Sequence, residues 1–288
     1  MNLATGPFRP SDDVRRTAAL TALEWRPRHG GGAPGARLGR AQGASIEFAD
    51  RRDYTPGDDV RHIDWRAYAR SDQLVVRTYR EEIAPRVDVL LDVSRSLATS
   101  EEKARGALDL AALWLALARD AGFAAQLHSV GDRLSRVPDE VLDRDGLAFD
   151  SATPLDAGLE HAASLPAEGV RVLVSDFMTP APPRTVLRRA FARASAGIAL
   201  AVWHRDEALP PEGGAMRLVD AETGRTREVV VDRARRERYL ARLARWREEL
   251  AAEARRLAVP FVEWIVPTDL ESACRERLGP LGIVAARR

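Results

Sequence analysis

Two apolar runs, VDVLLDVS from Val87 and VRVLVSDF from Val170, constrain the fold of this chain more than any other feature. Each is a near-continuous stretch of Val and Leu, the pattern of a strand covered on both faces rather than one that alternates between core and solvent. Such strands need helices on either side, and helical periodicity follows both, from Glu102 to Asp120 and from Pro183 to Ala194. Further strands are read in AAQLHSVGD, GIALAVWH and VPFVEWIV, with RLSRVP as a short edge strand. Strands separated by helices predict an α/β fold with an open, doubly wound, mostly parallel sheet flanked by helices.

The rest of the chain fits around that sheet. Leu240, Leu243, Trp246, Leu250, Ala254 and Leu257 recur at helical spacing in an amphipathic helix from Arg233 to Leu257, and LESACRERL forms a closing helix. The turn signal ETGR between two extended runs predicts a hairpin inserted near 215–232. Upstream, Thr17 to Trp25 has a short helical pattern, and RPRHGGGAPGARLGRAQG reads as a Gly- and Pro-rich loop. The expected organisation is a smaller N-terminal module over residues 1–84 and the sheet domain over residues 85–288.

Charge and cysteine content exclude some function classes. Lys+Arg 44 against Asp+Glu 43 leaves a formal net charge of +1, so no global field draws the chain to nucleic acid or anionic lipid. Lys103 stands alone against an otherwise all-arginine set of cations, a pattern read as the coding bias of a GC-rich genome. Cys274 has no partner cysteine, which fits a reducing compartment. The start lacks a signal-peptide pattern, and the most hydrophobic window, ALDLAALWLALA, is too short for a membrane span and carries Asp109. No membrane span and a cytoplasmic location are therefore expected.

In doubly wound sheets, ligands bind at the carboxyl ends of the strands. There the chain offers Asp92, Ser94 and Ser96 after the first apolar run, Ser175 and Asp176 after the second, and Thr153 at the start of a helix between them. Carboxylates and hydroxyls without sulfur or imidazole form an oxygen set suited to a hard cation such as Mg²⁺ or Mn²⁺. Structural readings compete, because Ser and Asp after a strand are also common helix caps.

The order D-x-S-x-S, distant Thr, distant Asp resembles the metal-ion-dependent adhesion site of von Willebrand factor A domains. That resemblance implies metal ligation by Asp92, Ser94, Ser96, Thr153 and Asp176, with one coordination position open to a partner's carboxylate. Upstream, IEFADRRDYTPGDDVRHIDWRAYARSDQL is similar to the signature of the domain of unknown function family 58, with Glu47, Phe48, Arg52, Tyr54, Gly57, Asp58, Asp59, Arg61, Ile63, Asp64, Trp65, Ala69 and Arg70 in its pattern. That resemblance implies a bacterial or archaeal protein that works beside a MoxR-type AAA+ ATPase in maturing or activating a client complex. Many members of that family carry transmembrane helices before the signature, whereas no such helix is read here.

No other catalytic signature is present: there is no phosphate-binding loop, nucleophile elbow or paired-histidine zinc motif. A non-enzymatic, metal-dependent adaptor that binds the ATPase and an acidic side chain of a client is the leading expectation. A metal-dependent phosphohydrolase is the first alternative, although Ser94 occupies the place where an aspartyl phosphatase carries its second Asp. Nucleic-acid binding through arginine-rich segments is the second. It is disfavoured by charge balance and by Glu residues interleaved with the arginines.

Overall fold

A computed structural model of the chain describes residues 6–25, 47–56, 58–60, 63–80, 86–167 and 169–287. The chain divides into two units, Met1–Gly32 with Pro85–Arg288, and Ala33–Ala84. It opens with α1 (Asp12–Leu20) and β1 (Thr21–Leu23). In the smaller unit, β2 (Glu47–Asp53) pairs antiparallel with β3 (Val75–Arg80), and α2 (Trp65–Ser71) lies between them in sequence. Asp64 caps α2 by accepting the N–H groups of Arg66 and Ala67, so this acid of the signature has a local structural role. The loop read between Trp25 and Ile46, and Gly57 and Arg61 of the signature, lie outside the described residues.

The larger unit continues with β4 (Arg86–Asp92), α3 (Glu101–Asp120), β5 (Ala124–Val130), β6 (Leu134–Val137), α4 (Leu155–Gly158), β7 (Val170–Ser175), α5 (Pro183–Ala190) and β8 (Ala196–His204). It ends with α6 (Arg205–Ala208), β9 (Ala215–Val219), β10 (Thr226–Val230), α7 (Arg233–Arg256), β11 (Phe261–Val266), α8 (Leu270–Leu278) and β12 (Val284–Ala286). The central sheet has the order β11-β8-β7-β4-β5-β6, parallel throughout except for the antiparallel edge pair β5–β6. The mostly parallel sheet flanked by helices is the architecture expected from the apolar runs. From β4 the chain winds outward through β5 and β6, then returns to β7 and winds the other way. The seam between β4 and β7 is therefore the topological switch point, where a crevice opens beyond the strand ends.

Alternating side chains of the central strands feed two cores. Val87, Val89 and Leu91 of β4 join Val172 and Val174 of β7 against α1, α3 and α8. Leu90 and Leu173 point the other way, with Ala199, Ala201 and Trp203 of β8, against α5 and α7. Burial on both faces is why Val and Leu dominate these strands. Asp88 is an exception that is paid for locally: Arg86 donates to it at 2.9 Å, and it shares a 2.9 Å hydrogen bond with His128 Nε2. Burial alone would raise its acid range, but the bonds from His128 and Arg86 hold it below the ordinary carboxylate value.

Three elements differ from the sequence expectation. The first helix spans Asp12–Leu20 rather than Thr17 to Trp25, because Thr21–Leu23 pairs antiparallel with Val284–Ala286 at the far end of the chain. This start also belongs to the larger unit rather than to a module over 1–84. Asp109 of α3 explains part of that attachment, since its carboxylate accepts both the backbone N–H and the hydroxyl of Ser11, at 2.7 and 2.8 Å. Finally, the helix following Thr153 is one α-turn continued by a 3-10 turn over Leu159–Ser164.

Gly158 fixes the close approach of α4 to the β5 end. A Cβ at this position would lie 2.6 Å from the Gly131 carbonyl oxygen and 2.9 Å from Val130 Cγ1. Because the first obstacle is backbone, Gly158→Ala is expected to cost about 1–3 kcal/mol in urea unfolding, the usual range for overpacking. An unchanged unfolding midpoint would show that the 131 loop yields freely.

Candidate functional site

Asp92 ends β4, and the chain is then held against the neighbouring loops by backbone bonds. The Val93 N–H reaches Val130 O, the Ser151 N–H reaches Val93 O, and the Arg95 N–H reaches Ser151 O, at 3.0, 3.1 and 3.0 Å. This bridge carries the 151–154 segment to the switch point. Both oxygens of Asp92 are engaged: Oδ1 accepts the Ser94 N–H at 2.9 Å and Oδ2 accepts the Ser175 hydroxyl at 2.6 Å. The Ser94 and Ser96 hydroxyl oxygens share a 2.9 Å hydrogen bond.

Asp176 follows β7 in a tightly specified turn. Its Oδ1 accepts the Met178 N–H at 2.8 Å, and its carbonyl accepts Trp203 Nε1 at 2.9 Å. The next residue, Phe177, has φ +57° although it is bulky and buried. A conformation of this kind costs on the order of 1–3 kcal/mol and persists where its surroundings over-determine it. Trp203, fixed in β8, is one such determinant.

Asp92, Ser94, Thr153 and Asp176 line one cleft of about 670 Å³. Thr153 donates its hydroxyl proton to Asp132 Oδ1 at 2.6 Å, which leaves its oxygen lone pairs available as acceptors. Ser96 reaches the same group through Ser94, so all five candidate residues are brought together. Among the described residues, no three of the His, Cys, Asp and Glu side chains form a ready-made metal cage. Any cation here would depend on two carboxylates assisted by hydroxyls. The remaining cleft wall is largely apolar, with Phe177, Met178, Leu243 and Trp246.

Three residues that the sequence reading did not assign to the site, Lys103, Glu207 and Glu222, complete it. Lys103 of α3 is fully buried, and its ammonium donates to Asp176 Oδ2 at 2.8 Å, Glu207 Oε1 at 2.7 Å and the Ser96 carbonyl at 3.0 Å. Burial would lower its ionisation range, but the charges of Asp176 and Glu207 outweigh burial and hold it above the ordinary lysine value. Glu222, from the turn between β9 and β10, accepts the Ser96 N–H at 3.1 Å. Asp92 bears the consequence of so many acids: burial first, then the charge of Asp176, push its carboxyl up to about 7 despite the bonds from Ser175 and Ser94. Cys274 lies elsewhere and is buried, and burial pushes its thiol up to about 11, so it is no nucleophile.

The model of the protein family of unknown function DUF58 matches residues 50–249, well over half of the chain. The chain belongs to the DUF58 family. Its match begins in the signature-bearing smaller unit and runs through most of the central sheet, so the DUF58 model includes the residues of the cleft. Uncharacterized proteins of Mycobacterium bovis and Mycobacterium tuberculosis are 28% identical to it over 273 residues, covering 87% of this DUF58 chain and 85% of theirs.

Two solved structures are similar in part. The conserved hypothetical protein BatB from Bacteroides thetaiotaomicron aligns with TM-score 0.37 and 11% identity over 69% of this chain and 98% of its own. An aerotolerance-related membrane protein from Bacteroides fragilis aligns with TM-score 0.39 and 15% identity over 68% of this chain and 98% of its own. That second protein is described as a membrane protein, which is at odds with the cytoplasmic location expected from sequence, and that expectation is withdrawn. The described residues contain no helix long and apolar enough to cross a membrane, a fact about those helices that assigns no compartment.

Proposed function

We propose that this DUF58 chain is a non-enzymatic binding protein with a von Willebrand factor A-like sheet domain. In this reading Asp92, Ser94, Ser96, Thr153 and Asp176 hold Mg²⁺ or Mn²⁺ as a metal-ion-dependent adhesion site. The partner is an acidic side chain of a MoxR-type AAA+ ATPase, or of a client matured with it. One observation carries the reading: carboxylates and hydroxyls from the ends of β4 and β7, with Thr153, converge at the switch point of the sheet.

The donor chemistry and the charge both fit a divalent ion. Asp92, Asp176, Glu207 and Glu222 cluster around Lys103 and Ser96, so a lysine ammonium balances only part of the buried negative charge. Neutral hydroxyl ligands leave a bound divalent ion incompletely compensated, and it then attracts an anionic oxygen from outside. The chain's own contribution is to hold the hydroxyls in place. Asp92 is anchored by the Ser94 N–H and by Ser175, and Asp176 by Lys103 and the Met178 N–H.

The phosphohydrolase alternative is weakened at the same site. Ser94 stands where an aspartyl phosphatase carries its second Asp, and it offers no carboxylate to move a proton. Calorimetric titration of Mg²⁺ or Mn²⁺ into the chain is expected to show binding that Asp92→Ala and Ser94→Ala both abolish. Retention of a purified MoxR-type ATPase is expected to fall on adding EDTA; retention indifferent to EDTA would remove the metal bridge from the mechanism.

A further inference from the structure

The turn between β9 and β10 reaches the cleft, which Asp220, Glu222 and Thr223 help to line. Within it, Asp220 Oδ1 accepts the N–H groups of Glu222 and Thr223, at 3.1 and 2.8 Å. Gly224 takes φ +68°, a conformation glycine adopts without a Cβ penalty. So shaped, the turn presents Glu222 to the end of β4. Its Oε1 accepts the Ser96 N–H at 3.1 Å, and its backbone carbonyl accepts Arg95 Nη1 at 3.3 Å. Its other carboxylate oxygen, Oε2, is buried and has no hydrogen-bond partner among the described residues.

A buried carboxylate oxygen without a donor is costly, and this one shares its cleft with Asp92 and Asp176. Hydrogen bonding within the site does not relieve it, whereas a cation beside the Ser94 and Ser96 hydroxyls would. We infer that Glu222 is the chain's own occupant of the partner-facing position, an internal carboxylate that a partner's acidic side chain must displace. The inference rests on the metal-dependent reading above. Little packing opposes displacement of this element, because Leu218, Val219 and Val230 are exposed and a two-stranded hairpin has little core of its own. The partner class that follows is an acidic peptide segment able to enter beside the apolar wall of Phe177, Leu243 and Trp246.

The test uses the full chain, Mn²⁺ and the glutamate side-chain analogue N-acetylglutamate amide. Mn²⁺ affinity is followed by calorimetry, and water on the bound ion by proton relaxation. Glu222→Ala is expected to weaken Mn²⁺ binding by on the order of tenfold, raise relaxation per bound ion, and bind the analogue more tightly than the wild type does. Glu222→Gln retains an acceptor for the Ser96 N–H and guards against a folding defect; it is expected to shift each quantity in the same direction. Unchanged affinity, relaxation and analogue binding in both variants would overturn the internal-ligand assignment while leaving the metal site standing. Absence of Mn²⁺ binding to the wild type, or binding that survives Asp92→Asn, would overturn the metal-dependent reading itself and this inference with it.

Discussion

Replacing Lys103 with methionine is expected to remove about 3–5 kcal/mol of stability in urea unfolding, the usual cost of breaking a buried ion pair from one side. Methionine preserves much of the stem that lies in the α3 core, so the loss is assigned to the ammonium. Its three donors are all in use, on Asp176, Glu207 and the Ser96 carbonyl. Without them, Asp176 stays 1% exposed and faces Asp92 with no compensating cation. A domain is stable by only about 5–15 kcal/mol, so the change takes a large share of the total.

Two controls separate this account from simple packing loss. Lys103→Met with Asp176→Asn is expected to recover part of the stability, because the second change removes the charge the first one stranded. Lysine titration also has a defined sign. The folded value lies above the ordinary one, so the ammonium's contribution is full below that range and is lost only as pH rises through the raised value. The deficit of the single variant should therefore carry no lysine step between neutral and mildly alkaline pH. A variant that unfolds at the wild-type midpoint would show that the buried cation contributes nothing.

Much of this arrangement was legible because the central strands are covered on both faces. Continuous Val and Leu located β4 and β7, and the residues where those runs turn polar, Asp92 and Ser175, mark the ends of both strands. What could not be read locally came from distant pairing. Thr21–Leu23 has helical neighbours and becomes a strand only because Val284–Ala286 lies beside it. Glu222 sits in a turn that the ETGR signal did predict, yet its bond to Ser96 joins residues 126 apart, and nothing in the hairpin's own pattern points there.

Lys103 is a different kind of miss, because its signal was present. Lys103, Ala107, Leu110, Ala111 and Trp114 fall on one stripe of α3, and all are buried. A lysine on an apolar stripe, seven residues downstream of D-x-S-x-S, calls for a buried acid as partner. Coding bias accounted for the abundance of arginine but left unexplained why lysine survives at this one position. The geometry supplies a reason: the planar guanidinium of arginine is bulkier than the compact ammonium that Asp176, Glu207 and the Ser96 carbonyl surround.

Asp92→Asn is expected to change stability in opposite directions with and without a divalent ion. In EDTA at pH 8 the variant should melt above the wild type, with a gain on the order of 1–4 kcal/mol from removing one of two neighbouring buried charges. The wild-type carboxyl is raised to about 7, chiefly by burial and then by Asp176, and this folded value exceeds that of the unfolded chain. Its contribution is therefore full below the ordinary carboxylate range and is lost as pH rises through about 7, a decline the Asn variant lacks. With Mg²⁺ at about a thousand times its dissociation constant, the wild type gains about 4.1 kcal/mol and the variant gains none. The two melting curves should thus exchange order between EDTA and Mg²⁺, and curves that keep the same order would refute a cation role for Asp92. If they cross, the acid that ends β4 is a liability to the bare fold and an asset only to the metal-bound one.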